Sequence, residues 1–247
     1  MNKPYCTAQN SATILMAVLL AFPVVTSAQE SAYADLNECT KKEQINSTVK
    51  GAAVGALAGL GAAFLSGKKD KAPQAAVVGA VVGGAAGFAV AYYNSIQTCY
   101  KLNPSWIPES QLERDPKKSY DQIIEEYKYQ PSEGIKVKAK NISMPDSTKS
   151  GATLDITTTY DLMTPDGAEA PILVDRKLFS VTDGQETALS FPGKTSEERM
   201  VAPGRSKDTV KLSIPKEAKP GEIYRVEFTV SSQGKTPSVI SKSTKVK

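Results

Sequence analysis

Cys39 and Cys99 are the residues best placed for covalent chemistry in this 247-residue chain. Cys39 precedes Gly51 by 12 residues and Cys99 follows Gly87 by 12. If the intervening glycines sit on two antiparallel helices, both thiols lie at one end at matched distance, and an oxidising compartment would join them as a disulfide. On a helical wheel the sulfurs point off the glycine face, so the chain is expected to bend before it reaches them. Most of the usual catalytic set is missing. The chain has no histidine, which removes the common general base near pH 7, the commonest metal ligand and every Ser/His or Cys/His arrangement. Three cysteines are too few for a thiolate zinc site. A Ser/Lys dyad or paired carboxylates would be the remaining chemistry, and no motif supports either. Asp155, Asp161, Asp166 and Asp175 lack the spacing of a calcium loop. No catalytic, cofactor-binding or metal-binding residue is therefore assigned, and the chain reads as non-enzymatic.

The cysteines bracket the most unusual segment of the sequence. Gly51, Gly55 and Gly59 repeat at every fourth position, and Gly79, Gly83 and Gly87 repeat the pattern. No charge occurs from Gly51 to Gly67 or from Ala72 to Tyr100, and Lys68, Lys69, Asp70 and Lys71 fall between. Two apolar helices joined by a polar turn are expected, with Pro73 in the first turn of the second. Each helix has a row of small residues and an opposing bulky face, with Val54, Leu57, Leu60 and Phe64 on the first and Val78, Val81, Val82 and Phe88 on the second. Glycine costs a free helix roughly 1 kcal/mol against alanine, so close backbone packing must compensate. The doubled GxxxGxxxG pattern resembles the glycine-zipper segments of bacterial envelope proteins, including the glycine-zipper outer-membrane lipoproteins. No cysteine stands at the expected cleavage site, which departs from the lipoprotein pattern. The hairpin either spans a bilayer or packs in a soluble or oligomeric bundle. The lysine turn and the cluster of Tyr92, Tyr93, Tyr100 and Trp106 favour the membrane.

Residues 1–28 read as a secretory signal peptide, with Lys3 as the only charge, an apolar stretch from Ile14 to Phe22 and small residues before Gln29. Cleavage after Ala28 fits best and cleavage after Ala34 is an alternative; an uncleaved anchor would need a longer apolar stretch. Cys6 would leave with the signal.

Beyond the hairpin, Asp115-Pro116 is expected to cap a short amphipathic helix carrying Tyr120, Ile123, Ile124 and Tyr127 at i, i+3, i+4 and i+7. From Gly134 the period becomes two. Val137, Leu154, Ile156, Leu212, Ile214, Tyr224, Val226, Phe228 and Val230 alternate with polar residues, and turn signals separate the runs. About seven strands in this stretch imply an antiparallel β-sandwich. The segment from Ile214 to Val230 resembles the penultimate hairpin of immunoglobulin-like modules in bacterial surface and periplasmic proteins, which would make Tyr224 a tyrosine-corner residue. The region departs from true immunoglobulin domains in having no cysteine or tryptophan.

The resulting organisation is α+β: signal peptide 1–28, N-terminal flank 29–50, glycine-zipper hairpin 51–100, connector 101–133 and immunoglobulin-like sandwich 134–247. The expected product is an exported, membrane-associated, periplasm-facing envelope protein. Its hairpin would anchor or self-associate, and its sandwich would bind an unidentified envelope protein or polysaccharide. A membrane-active oligomer or pore built from the zipper helices is the alternative. The net charge is +4 without a dense basic stripe, so a nucleic-acid partner is not expected.

Overall fold

Period-two alternation builds the body of the protein. In the computed structural model, residues 34–45, 72–232 and 234–247 are described, and within 72–86 the backbone alone. The expected signal peptide, the first glycine segment with Gly51, Gly55 and Gly59, and the lysine turn lie outside the described residues. Residues 36–45 form helix α1, Ala72–Leu102 form α2 and Tyr120–Tyr127 form α3.

Ten strands are described: β1 (Gln111–Arg114), β2 (Lys136–Ser143), β3 (Ser147–Thr148), β4 (Thr153–Met163), β5 (Ala170–Thr182), β6 (Gln185–Leu189), β7 (Ser196–Val201), β8 (Gly204–Ser213), β9 (Ile223–Ser231) and β10 (Ser238–Val246). They form two layers. One sheet has the order β1-β8-β4-β2, and the other has the order β3-β10-β9-β5-β6 with β7 also on β5. All pairings are antiparallel except β3 with β10. The structure thus exceeds the expected seven strands. β1 comes from the segment read as a connector, where all four residues are exposed and no alternation could announce a strand; it forms because β8 offers it an edge.

The expected inward residues are inward. Leu154, Ile156, Leu212, Ile214, Tyr224, Val226, Phe228 and Val230 are all buried in one core. A β-bulge between Ala139 and Asn141 shifts the register of β2, so Ile142 rather than Asn141 turns inward. Asp183 and Gly184 both have positive φ, 52° and 77°, as a two-residue hairpin turn between β5 and β6 requires.

α3 starts later than expected. Ser119, not Asp115, is its N-cap, and a capping box with Gln122 satisfies the first turn. Asp115 instead accepts from Lys117 N at 3.1 Å and pairs with Lys207 at 3.3 Å, which holds it against β8. The apolar stripe is placed as expected: Ile123 is fully buried, and Tyr120, Ile124 and Tyr127 pack with Tyr129 and Met163.

α2 is one helix of 31 residues that passes through Gly79, Gly83 and Gly87 and past Cys99 without a break. The expected bend is therefore absent from α2, and the approach to Cys39 lies outside the described residues. Ala89, Tyr93, Ile96 and Tyr100, on one face at helical spacing, are buried in the sandwich core. That burial keeps the helix straight through the cysteine, since unwinding it would expose the whole stripe. Among the residues whose side chains are described, no helix is long and apolar enough to cross a membrane.

Candidate functional site

Three constructions draw functional groups together: a charged cluster between the sheets, a second one under α3, and the seat of α2.

The first follows from strand parity. On β5 the inward positions run Ile172, Val174, Arg176, Leu178, and on β8 they run Gly204, Ser206, Asp208. The pleat therefore drives an arginine and an aspartate into the core from opposite layers. Arg176 is 2% exposed and Asp208 1%. The Arg176 Nε donates to Asp208 Oδ2 at 3.2 Å, and Nη2 donates to the same oxygen. Its Nη1 donates to the Lys194 carbonyl at 3.0 Å and to Glu197 Oε2 at 2.8 Å. Arg199 closes the ring, with Nη1 on Asp208 Oδ1 at 3.2 Å and Nη2 on Glu197 Oε2 at 2.6 Å and on the Ser110 hydroxyl. Burial pushes the Glu197 carboxyl up, but the donors of Arg176 and Arg199 outweigh it and hold the group below the usual carboxylate value. Two cations thus meet two anions. The adjoining void, lined by Pro108, Ser110, Phe191, Gly193 and Glu197 among others, measures about 10 Å³, room for about one water. Chemically the cluster locks the two sheets and β7 together.

None of these four charged residues is among the expected site residues. The available signal was a charge at inward parity, Arg176 two residues after Val174 and two before Leu178. Asp161, one of the acids without calcium-loop spacing, is also fully buried. It accepts from Arg205 Nε at 2.7 Å and Nη2 at 2.8 Å and from the Tyr127 hydroxyl at 3.1 Å. Tyr127 belongs to α3, so this pair fastens the helix to β4 and β8. Glu126 adds Lys140 at 2.6 Å, with Lys118 also on it. Asp155 is exposed and pairs with Lys211. Among the described residues no cluster of acidic or cysteine side chains could hold a metal ion.

The third construction joins α2 to the sandwich. The Tyr93 hydroxyl donates to the Ser213 carbonyl at 2.9 Å, Gln97 Nε2 donates to the Phe191 carbonyl at 2.5 Å, and the Ser190 hydroxyl donates to Asn94 Oδ1 at 2.7 Å. Tyr93 stands edge-on to Tyr224, with ring centroids 6.2 Å apart. Burial raises the Tyr93 phenol well above its ordinary value, with the neighbouring Tyr224 adding to the effect. Tyr224 itself departs from a tyrosine corner: its hydroxyl donates to Glu222 Oε2 at 3.1 Å rather than to a backbone carbonyl.

Cys39 of α1 and Cys99 of α2 are bonded, with Cα atoms 6.0 Å apart, and both residues are fully buried. At 100° per residue, Cys99 lies about 120° around the helix from Gly87. The bridge therefore holds α1 on a different face from the glycine row. Gly79 and Gly83 are helical within α2. Among the described residues nothing lies within 4 Å of where a Cβ on Gly87 would stand.

No curated protein matches the chain. Among solved structures, the sporulation control protein Spo0M from Bacillus subtilis is 14% identical, with 46% of this chain and 49% of that one covered and a TM-score of 0.33. This chain thus spans about half of the Spo0M chain. The CARDB domain of a Pyrococcus furiosus protein, solved with di-metal ions, is 13% identical over 46% of this chain and 94% of that one, with a TM-score of 0.31. A conjugative transposon lipoprotein from Bacteroides eggerthii is 9% identical over 44% of this chain and 95% of that one, with a TM-score of 0.26. At the level of sequence families, residues 10–95, which include both glycine rows, match the family described as YMGG-like Gly-zipper.

Proposed function

We propose that this is a non-enzymatic protein of the bacterial cell envelope, in which the glycine zipper anchors or self-associates in a membrane and the β-sandwich binds a partner on the periplasmic side. The observation that carries the reading is the doubled glycine row, matched by the glycine-zipper family over residues 10–95, whose second copy lies on a helix that continues without a break into the sandwich core. Zipper packing then fixes where the sandwich sits. The buried Cys39–Cys99 disulfide supports an oxidising compartment and hence export. The sandwich supports a binding role through an immunoglobulin-like strand order: β1, β8, β4 and β2 stand where strands D, E, B and A would, and β10, β9 and β5 where G, F and C would. Immunoglobulin-like sandwiches present loops at their ends, and fold alone names no partner. A non-enzymatic reading is supported by the lack of histidine and by the pairing of Arg176 and Arg199 with Asp208 and Glu197.

Separation of inner membrane, outer membrane and periplasm, followed by detection of the mature chain, tests the reading. The protein is expected in a membrane fraction, and recovery as a soluble periplasmic monomer would refute it. In a cross-linking assay, Gly55→Leu with Gly83→Leu is expected to abolish self-association while the sandwich stays folded.

A further inference from the structure

The end of the sandwich at which α2 enters is built from three segments tied by backbone hydrogen bonds. Gly151 N donates to the Pro215 carbonyl at 3.0 Å, Lys247 N to Thr148 at 2.8 Å, Gly221 N to Val246 at 2.9 Å and Val246 N to Glu222 at 2.8 Å. This gathers the β3–β4 loop, the β8–β9 loop and the last residues of β10, and with them Lys149, Lys216, Lys219, Lys245 and Lys247. All five are exposed. Among the described residues none of them is in an ion pair. The acids nearby are partly spent: Asp146 is paired with Lys242 at 3.0 Å, Glu186 with Arg225 at 2.5 Å, and Glu222 accepts from Tyr224. Glu222, Glu217 and Asp183 keep their charge beside five lysines, so positive charge predominates.

α2 meets the sandwich at the same end. Tyr93 bonds Ser213, which immediately precedes the β8–β9 loop, and Asn94 and Gln97 bond Ser190 and Phe191 further along. Towards its N-terminus, helix burial continues to Ala89; Gly87 and Phe88 beyond it are only partly buried, and among the described residues nothing lies within 4 Å of where a Cβ on Gly87 would stand. The uncharged stretch from Ala72 to Phe88, about 25 Å at 1.5 Å per residue, therefore leaves the sandwich beside the five lysines. If that stretch lies in a bilayer, the end of the sandwich that carries the lysines faces its surface.

We propose that this lysine-bearing end is a binding surface for anionic lipid headgroups, which would set the sandwich upright against the membrane that holds the zipper. The proposal rests on the membrane reading above, and its test keeps the two apart. The full chain is mixed with vesicles of phosphatidylcholine alone, or of phosphatidylcholine with about one third phosphatidylglycerol. Co-flotation with the neutral vesicles reports the zipper anchor. Amine-reactive footprinting read by mass spectrometry reports the lysine end. With anionic vesicles the five lysines are expected to react at least about three-fold more slowly than with neutral ones, and about 0.5 M salt should restore them. Lys235, exposed at the opposite end, should not change. Lys216→Glu with Lys219→Glu should remove the protection of the other three, whereas Lys235→Glu should not. Equal reactivity in the two vesicle types would overturn the proposal whether or not the chain floats on neutral vesicles. So would equal protection by inorganic phosphate alone, because that would mark a small-anion site.

Discussion

Arg176 sits where β5 alternation calls for an apolar residue, and Asp208 faces it from β8, so each charge depends on the other for its solvation. Removing one partner of a buried pair strands the other. Arg176→Leu should cost about 3–5 kcal/mol in urea unfolding, whereas Arg176→Leu combined with Asp208→Leu should recover much of the loss. Glu197 adds a pH dependence. Its folded carboxyl lies below the unfolded value of 4.5, so its contribution is full above that value and is lost as pH falls through the lower folded one. The acid limb of the stability curve should flatten in Glu197→Gln. Tyr100 acts at the other limb. Burial, with Tyr92 adding, pushes its phenol up to about 12 from 10.0, so the fold keeps it neutral where an unfolded chain would ionise it. The sign is that of a raised group: stability is complete below pH 10, falls between 10 and 12, and the loss is fully developed above. Tyr100→Phe should move alkaline unfolding, followed by tyrosinate absorbance and circular dichroism together, to higher pH.

At the scale of elements, α2 is held by two independent devices. The stripe of Ala89, Tyr93, Ile96 and Tyr100 docks it in the core, and the disulfide ties it to α1 across a sequence separation of 60. In the loop-entropy model such a closure contributes roughly 4 kcal/mol. Cys39→Ser with Cys99→Ser should lower the thermal midpoint by a corresponding amount, and because both sulfurs are buried, reductant alone should act slowly on the folded protein. The glycine row behaves differently. Leucine has the higher helix propensity by roughly 0.8 kcal/mol, so Gly83→Leu should leave helix content equal or higher. A loss of self-association in that variant would therefore report backbone packing, not helix formation. α3 illustrates why helix starts are hard to place. Asp115-Pro116 has the composition of a cap, but Lys207 across the sheet engages Asp115, and the local capping box at Ser119 and Gln122 sets the start.

For the molecule as a whole, the link between α2 and the sandwich has the larger consequence. A helix seated by Tyr93, Asn94 and Gln97 transmits its own orientation to the sheets, so an assembled zipper would present its sandwiches at a fixed attitude. Much of this was legible in the sequence. The apolar alternation of β4, β8 and β9, the amphipathic period of α3 and the matched cysteine spacing are local or evenly spaced patterns, and each element can be read from its own residues. β1 was not legible, since four exposed residues become a strand only when β8 supplies the partner. The pairing of Arg176 with Asp208 was not legible either: each residue's parity is written along its own strand, but their meeting depends on which sheets stack face to face. By itself, the sequence determined the alternating strands β4, β8 and β9, the zipper spacing and the pair of thiols, because these follow from periodicity and composition. The tertiary structure alone decided that α2 shares the sandwich core, that two opposite charges lock the layers, and that five lysines from three distant segments share one end, because each rests on contacts between residues far apart in the chain.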